Sequence, residues 1–146
     1  MYRFKIYYPG RTKSKFINEG INHYLKLLRP FAKVELIELK EAKGESLRVI
    51  DEESKNILNA VEGPFFLLHR EGKMVDSIEF AEIIKNQALN QFIIGGAYGV
   101  NNLVIDRAQI CLSLSKLTFT HEMSRLILLE QIYRAMTIIN NRKYHY

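Results

Sequence analysis

Three segments of this sequence combine residue types that could bind a ligand or act on one. The first, Gly95-Gly96-Ala97-Tyr98-Gly99, directly follows the apolar run 92–94. Glycines at the end of a buried strand let the backbone turn sharply and approach a ligand without interference from Cβ atoms. The spacing is neither a dinucleotide fingerprint nor a P-loop, because position 97 is Ala and no Lys-Ser/Thr pair follows. A tight structural turn explains the motif equally well.

The second segment, Leu114-Ser115-Lys116-Leu117-Thr118-Phe119-Thr120-His121, offers hydroxyl and backbone groups beside apolar side chains. Such a mixture suits an adenosine. On the residues alone, a plain strand-to-helix loop capped by Thr120 is the favoured alternative.

The third segment, residues 141–146, joins two cations, two aromatic rings and an imidazole. The cations can bind phosphate, the aromatic rings can stack on a base, and the imidazole can transfer a proton. A frayed terminus is the commoner explanation of such a tail.

The four histidines show no i, i+4 pairing and no cysteine partner, so we expect no metal site. The single Cys111 stands between Ile110 and Leu112, which favours a small buried hydrophobic side chain in a reducing compartment.

Strand-like runs alternate with amphipathic helices along the chain. We expect strands at residues 2–8, 34–39, 65–68, 92–94 and 110–115, with a turn at Gly72 beyond the third. Helices are expected after the capping residues Ser14, Ser46, Asp76 or Ser77, Asn101 or Asn102, and Thr120. This alternation predicts one α/β domain over residues 1–146, with a mostly parallel sheet covered on both faces. Ligands of such sheets bind at the carboxyl ends of the strands, which here means the loops after Leu68, Ile94 and Ser115.

Charge is distributed unevenly along the chain. The net charge is +5, and residues 1–33 hold eight Lys and Arg against the single Glu19. The last 46 residues are basic as well, so the two ends would form a positive surface for a phosphate backbone if they met in space. A solvated basic surface without a ligand is about as consistent with charge alone.

The N-terminus is not typical of a secretory signal, because Arg3 and Lys5 interrupt the apolar run. The uncharged stretch 86–105 holds too many Gln, Asn and Gly residues for a bilayer span. We therefore expect a cytoplasmic protein with no membrane partner.

Several motifs, read together and in this order, resemble the RlmH family of the SPOUT superfamily, and the likeness covers nearly the whole chain. They are Ile94-Gly95-Gly96-x-x-Gly99, Leu114-Ser115-x-Leu117-Thr118-x-x-His121, Arg125, Glu130-Gln131-x-Tyr133-Arg134-Ala135 and Tyr144-His145.

The resemblance implies an α/β-knot methyltransferase whose C-terminal part threads a trefoil knot and binds S-adenosyl-L-methionine. It also implies a homodimer that methylates N3 of a pseudouridine in large-subunit (23S) ribosomal RNA on the assembled ribosome.

The same resemblance implies two sets of site residues. The cofactor would be bound by Leu68, Gly95, Gly96, Gly99, Leu114, Ser115, Lys116, Leu117, Thr118 and Phe119. The residues facing the substrate would be His121, Arg142, Tyr144 and His145, with the tail reaching the cofactor of the partner subunit.

The imide at N3 must lose its proton, so the chemistry needs a base and a group that stabilises the developing anion. Our hypothesis assigns the base to His145, charge stabilisation to Arg142 and stacking or hydrogen-bond donation to Tyr144. His121 is the alternative base.

Two other classes of function stay open from the sequence. One is a ribosome-binding module without catalysis, which would use the basic ends and bind no cofactor. The other is a flavodoxin-like nucleotide or flavin domain, favoured by the order of the elements but not by any strong phosphate-loop signal.

Overall fold

Five strands alternate with five helices in the computed structural model, which describes residues 1–146. The strands are β1 (Tyr2–Pro9), β2 (Ala32–Leu39), β3 (Phe66–Met74), β4 (Leu89–Ile93) and β5 (Ile110–Ser113). The helices are α1 (Lys15–Leu28), α2 (Ser46–Ala60), α3 (Ser77–Lys85), α4 (Asn102–Arg107) and α5 (His121–Ile139). The strand order is β2-β1-β4-β3-β5, and every pair of neighbours is parallel. The predicted α/β class with a parallel sheet is confirmed.

Alternation of side chains along each strand divides the core between the two faces of the sheet. In β1, Phe4, Ile6 and Tyr8 pack with α1, α3 and α5, whereas Tyr7 packs with α2 and α4. Because α5 contacts both α1 and α3, it completes the layer on the first face. The sheet is thus covered on both sides, as its long apolar runs predict.

Helix beginnings agree with the expected caps at four places. Ser14 is the N-cap residue of α1 but makes no side-chain capping hydrogen bond, whereas the other three caps do. Asp76 forms a capping box with Glu79, Asn101 accepts from two backbone amides of α4, and Thr120 Oγ1 accepts from Met123 N at 3.1 Å. The expectation for Ser46 was wrong by one residue, since it is the first residue of α2 and makes no capping hydrogen bond.

Strand β3 departs from its predicted length. Its pairing with β5 is interrupted between Leu68 and Lys73, and both of these residues lie opposite Leu112. The prediction of a turn beyond the strand at Gly72 was therefore wrong, because Gly72 lies inside β3 where the backbone returns to β5. A Cβ atom there would lie 2.7 Å from the carbonyl atoms of Cys111, so only glycine allows the approach.

None of the helices has the length and apolar character that crossing a bilayer requires.

Replacing Gly72 by Ala should destabilise the protein, because its new methyl group would overlap the backbone of β5. We expect the free energy of unfolding to fall by about 1–3 kcal/mol, the usual cost of overpacking. Urea denaturation measures this as a lower midpoint with an unchanged slope. Glu71→Ala, at the exposed neighbouring position, is the control and should stay within about 0.5 kcal/mol of wild type. Equal midpoints for Gly72→Ala and wild type would contradict the close approach of β3 and β5.

Candidate active site

A cleft of about 1020 Å³ opens at the carboxyl edge of the sheet. Its walls come from the segment that leaves the paired part of β3, from the glycine loop after β4 and from the segment that enters α5. Of the predicted site residues it is lined by Leu68, Gly95, Gly96, Gly99, Thr118, Phe119 and His121. Strands whose ends share one edge bring these distant stretches of sequence together.

Two smaller cavities adjoin the cleft through Leu68, which borders all three. A cavity of about 110 Å³ is lined by Leu114, Ser115 and Leu117, among others. A groove of about 480 Å³ between α3 and α5 is lined by Leu114 and by His145 of the tail.

One predicted cofactor residue lies apart from this group. Lys116 is exposed and borders a recess of about 310 Å³ beside Gly72 and Met74, which shares Arg70 and Glu71 with the cleft but is not lined by Leu68. The side chains of Arg142 and Tyr144 line none of these four cavities. No group of three or more His, Cys, Asp and Glu side chains is arranged to hold a metal ion.

The glycine loop is a tight turn that also forms a wall of the cleft. Gly99 N donates to Gly96 O at 3.0 Å, and Gly99 has a φ of +83°. A Cβ atom on Gly95 would lie 3.2 Å from the backbone of Gly99. The interpretation of the motif as a tight structural turn is therefore confirmed, and the same turn leaves backbone without side chains facing the cleft, so ligand binding there stays a prediction.

A buried carboxyl group lies under this loop. Glu53 in α2 is only 3% exposed, its Oε2 accepts from Ala42 N at 3.1 Å, and its Oε1 has no partner. Burial raises the pKa of Glu53. A Cβ atom at Gly96 would overlap Glu53 Oε1, so the glycine and the glutamate depend on each other.

Sequence reasoning missed Glu53, although a signal was present. The residue stands three positions after Ile50 and four before Ile57, on the apolar stripe of its helix. A glutamate at a core position of an amphipathic helix indicates a residue kept for its contacts with polar groups.

The start of α5 places His121 on the cleft. Burial lowers the pKa of His121, and the nearby charge of Arg125 lowers it further, so the imidazole is neutral at neutral pH. Next to it, the Glu122 carboxylate accepts hydrogen bonds from Ser14 N at 3.0 Å and Lys13 N at 3.1 Å. Although its partial burial would raise the pKa of Glu122, these backbone hydrogen bonds bring it below its usual value.

Arg125 is a second residue whose contacts the sequence did not predict. Its side chain is 1% exposed and lies with its guanidinium carbon 3.9 Å from the ring centre of Tyr8. One terminal nitrogen donates to Thr12 Oγ1 at 2.8 Å and the other to Pro9 O at 2.9 Å. The first turns of α5 are thereby fastened to the β1–α1 loop.

The C-terminal tail is docked on α5 of its own chain. The ring of Tyr144 lies 4.8 Å from that of Tyr133 and 4.8 Å below the guanidinium carbon of Arg134. Burial and contacts with Tyr24 and Glu130 raise the pKa of Tyr144 well above its usual range. His145 Nδ1 lies 3.2 Å from Arg134 Nη1, whereas the side chain of Arg142 is exposed.

Comparison with known proteins gives a consistent result. A family model described as "Predicted SPOUT methyltransferase" matches residues 2–145. A protein of Thermodesulfovibrio yellowstonii named "Ribosomal RNA large subunit methyltransferase H" is 66% identical over 146 residues, which is 100% of this chain and 100% of that protein. A protein of the same name from Dictyoglomus thermophilum is 39% identical, with 97% of this chain and 98% of that protein covered.

A solved structure supports the fold alone. It is described as "a probable methylase family protein from Haemophilus influenzae Rd KW20" and superposes with a TM-score of 0.55 at 10% sequence identity. The match covers 99% of this chain and 70% of that one.

The contact between Gly96 and Glu53 can be tested by a double-mutant cycle. Gly96→Ala alone should lower the free energy of unfolding by about 1–3 kcal/mol, because its methyl group meets the buried carboxyl. In a Glu53→Ala background the same change should cost at least about 0.5 kcal/mol less.

Gly99→Ala is the matched control for that cycle. No atom lies within 4 Å of a Cβ at Gly99, and its cost comes from the positive φ alone. This cost should be equal in both backgrounds. If Gly96→Ala also costs the same in both, Glu53 does not restrict the glycine loop.

Proposed function

The chain belongs to the SPOUT methyltransferase family and, within it, to the RlmH family, and from this premise we propose that it methylates large-subunit ribosomal RNA with S-adenosyl-L-methionine. The resemblance identified from the sequence is confirmed at the level of the family. The observation that carries the proposal is the single cleft that collects Leu68, the glycine loop and the segment leading into α5.

The finer part of the proposal follows from the family resemblance. The acceptor is N3 of a pseudouridine in 23S ribosomal RNA, and the substrate is the assembled ribosome in the cytoplasm. The protein works as a homodimer, its C-terminal part forms a trefoil knot, and the tail of one subunit lies near the cofactor of the other.

The residues around Leu68 fit an adenosine-containing cofactor. Leu68 and Leu114 offer an apolar surface to a purine ring, and the backbone of residues 115–119 offers groups that can bind a ribose. The glycine loop adds backbone without side chains on the opposite wall. When bound, S-adenosyl-L-methionine supplies a methyl group on a positively charged sulfur, and the protein must align it with the acceptor and exclude water.

Residues of this chain then act on the acceptor. The N3 imide is weakly acidic, so an uncharged imidazole can accept its proton, and His121 and His145 both border the connected cavities. The exposed guanidinium of Arg142 is suited to phosphate or to the anionic oxygen of the base. The raised pKa of Tyr144 keeps its phenol protonated, so this side chain can stack on a base or donate a hydrogen bond.

Exposed apolar side chains support the homodimer. Ile78 and Leu117 are 49% and 75% exposed, and each borders one of the cavities around Leu68. Met74 is 53% exposed and borders the recess beside Lys116. Large apolar groups gathered on a rim are typical of an interface. A second copy of the chain would cover them and exclude water from the site.

Two measurements test the activity. Mass spectrometry of large-subunit RNA from cells that lack this protein should show the loss of one methylated pseudouridine, and the wild-type gene should restore it. Calorimetry should show binding of S-adenosyl-L-methionine. A protein that binds ribosomes without heat from this cofactor would instead be a binding module, and a yellow purified protein would favour a flavin domain.

Arg142→Ala should weaken binding to ribosomal RNA and lower its dependence on salt. One lost phosphate contact reduces the slope of log K against log salt by about 1. Filter binding at several salt concentrations measures that slope. Lys85→Ala removes an exposed cation at the opposite edge of the sheet, before β4, and should leave the slope unchanged. An unchanged slope for Arg142→Ala would mean that this residue contacts no phosphate.

A further inference from the structure

Arg134 is a residue of α5 that lies between Glu130 of the same helix and His145 of the docked tail. One terminal nitrogen lies 3.2 Å from Glu130 Oε2, and the other lies 3.2 Å from His145 Nδ1. Its side chain is 24% exposed and that of Glu130 is 21% exposed. The carboxylate thus forms an ion pair with one edge of the guanidinium, without a hydrogen bond to Oε2, and the other edge is left to contact the imidazole.

The chemistry of this contact decides which nitrogen of His145 carries the proton. A guanidinium has only N–H donors and stays charged at any pH at which the protein is folded. The Nδ1 atom of His145 must therefore accept the hydrogen bond, and a neutral ring then carries its proton on Nε2. In this arrangement neither nitrogen offers a free lone pair. His145 can donate a hydrogen bond through Nε2, but it cannot take a proton from the substrate.

The other histidine of the site is arranged differently. No side chain of the protein forms a hydrogen bond with the His121 ring. It lines the main cleft together with the glycine loop and Thr118. A neutral imidazole with a free lone pair is what removal of an imide proton requires.

On the basis of the methyl transfer proposed above, we infer that Arg134 is a positioning residue that holds His145 as a hydrogen-bond donor to a carbonyl oxygen of the target base. His121 of the subunit that binds the cofactor accepts the N3 proton, and the electron pair of the N–H bond stays on N3. That pair forms the bond to the methyl carbon, and the electrons of the broken carbon–sulfur bond go to sulfur. His145 neither gains nor loses a proton, and it stabilises the charge that develops on the oxygen.

This division of roles reverses the hypothesis made from sequence, which gave proton removal to His145. The sequence places the imidazole at position 145 but not the guanidinium that meets its Nδ1 atom.

Substitutions at His145 separate the two roles. The amide nitrogen of Gln takes the place of Nε2 and can donate, whereas the amide of Asn is too short to reach that position. If His145 is a hydrogen-bond donor, His145→Gln should retain a single-turnover methylation rate within about tenfold of wild type. The rates of His145→Asn and His145→Ala should then fall by a factor of about 10²–10³. If His145 is instead the base, all three variants should lose about 10²–10⁴ in rate to an equal extent, because none of the new side chains can accept the proton. Equal losses would overturn the inference.

The same experiment at His121 gives the complementary result. His121→Gln and His121→Ala should both lose about 10² or more, since this residue must accept a proton. Near wild-type rates for His121→Gln would remove it as the base.

A double-mutant cycle tests Arg134 itself. Arg134→Met should slow single-turnover methylation at saturating cofactor, but it should add little in a His145→Ala background if it acts through His145. Independent losses that multiply would indicate a purely structural residue and overturn the positioning role.

Nuclear magnetic resonance tests the proton position without any catalysis. Long-range proton–nitrogen correlations of nitrogen-15-labelled protein, taken above the ordinary pKa of histidine, should show His145 protonated on Nε2. His69 is an internal reference, because its Nδ1 accepts from Glu71 N at 3.2 Å. A His145 ring protonated on Nδ1 would contradict the inference. Wild-type protein that shows the expected resonance but binds no S-adenosyl-L-methionine would instead contradict the proposed function.

Discussion

The buried guanidinium of Arg125 is the contact on which the position of α5 depends. A charged group removed from water is costly unless it finds polar partners, and here a carbonyl and a hydroxyl each accept from one terminal nitrogen and an aromatic face lies against the guanidinium, while Nε has no partner. All three belong to the end of β1 and the loop after it. Since the same helix carries His121 at its start and the docking surface of the tail near its end, this contact fixes both of these segments relative to the sheet.

The glycine loop is fixed from the other face of the sheet. Ser54 Oγ accepts from Asn101 N at 2.9 Å, Asp51 accepts from the Asn101 side chain, and Glu53 limits what position 96 can hold. Helix α2 therefore supports the loop without lining the cleft. Both walls of the site are thus positioned by polar contacts that join a helix to a neighbouring segment.

Much of this arrangement could be predicted from the sequence, because it depends on local patterns. Periodicity located the strands and helices, and the rule that ligands bind at strand ends selected the loops that meet in the cleft. The remaining features depend on contacts between distant residues. Gly72 looks like a turn residue until β5 is seen beside it, and Arg134 is an ordinary helical arginine until the tail folds back. Glu53 gave a local signal, but its partner Gly96 did not.

Leu68 is a wall that three cavities share, and this sharing restricts how the protein can evolve. A larger side chain there would narrow the cleft, the small cavity and the groove at once, and a smaller one would enlarge all three. Substitutions of Leu68 are therefore limited by every ligand that the three cavities bind. A change in ligand preference would have to arise in the surrounding loops, where one compartment can be altered without the others.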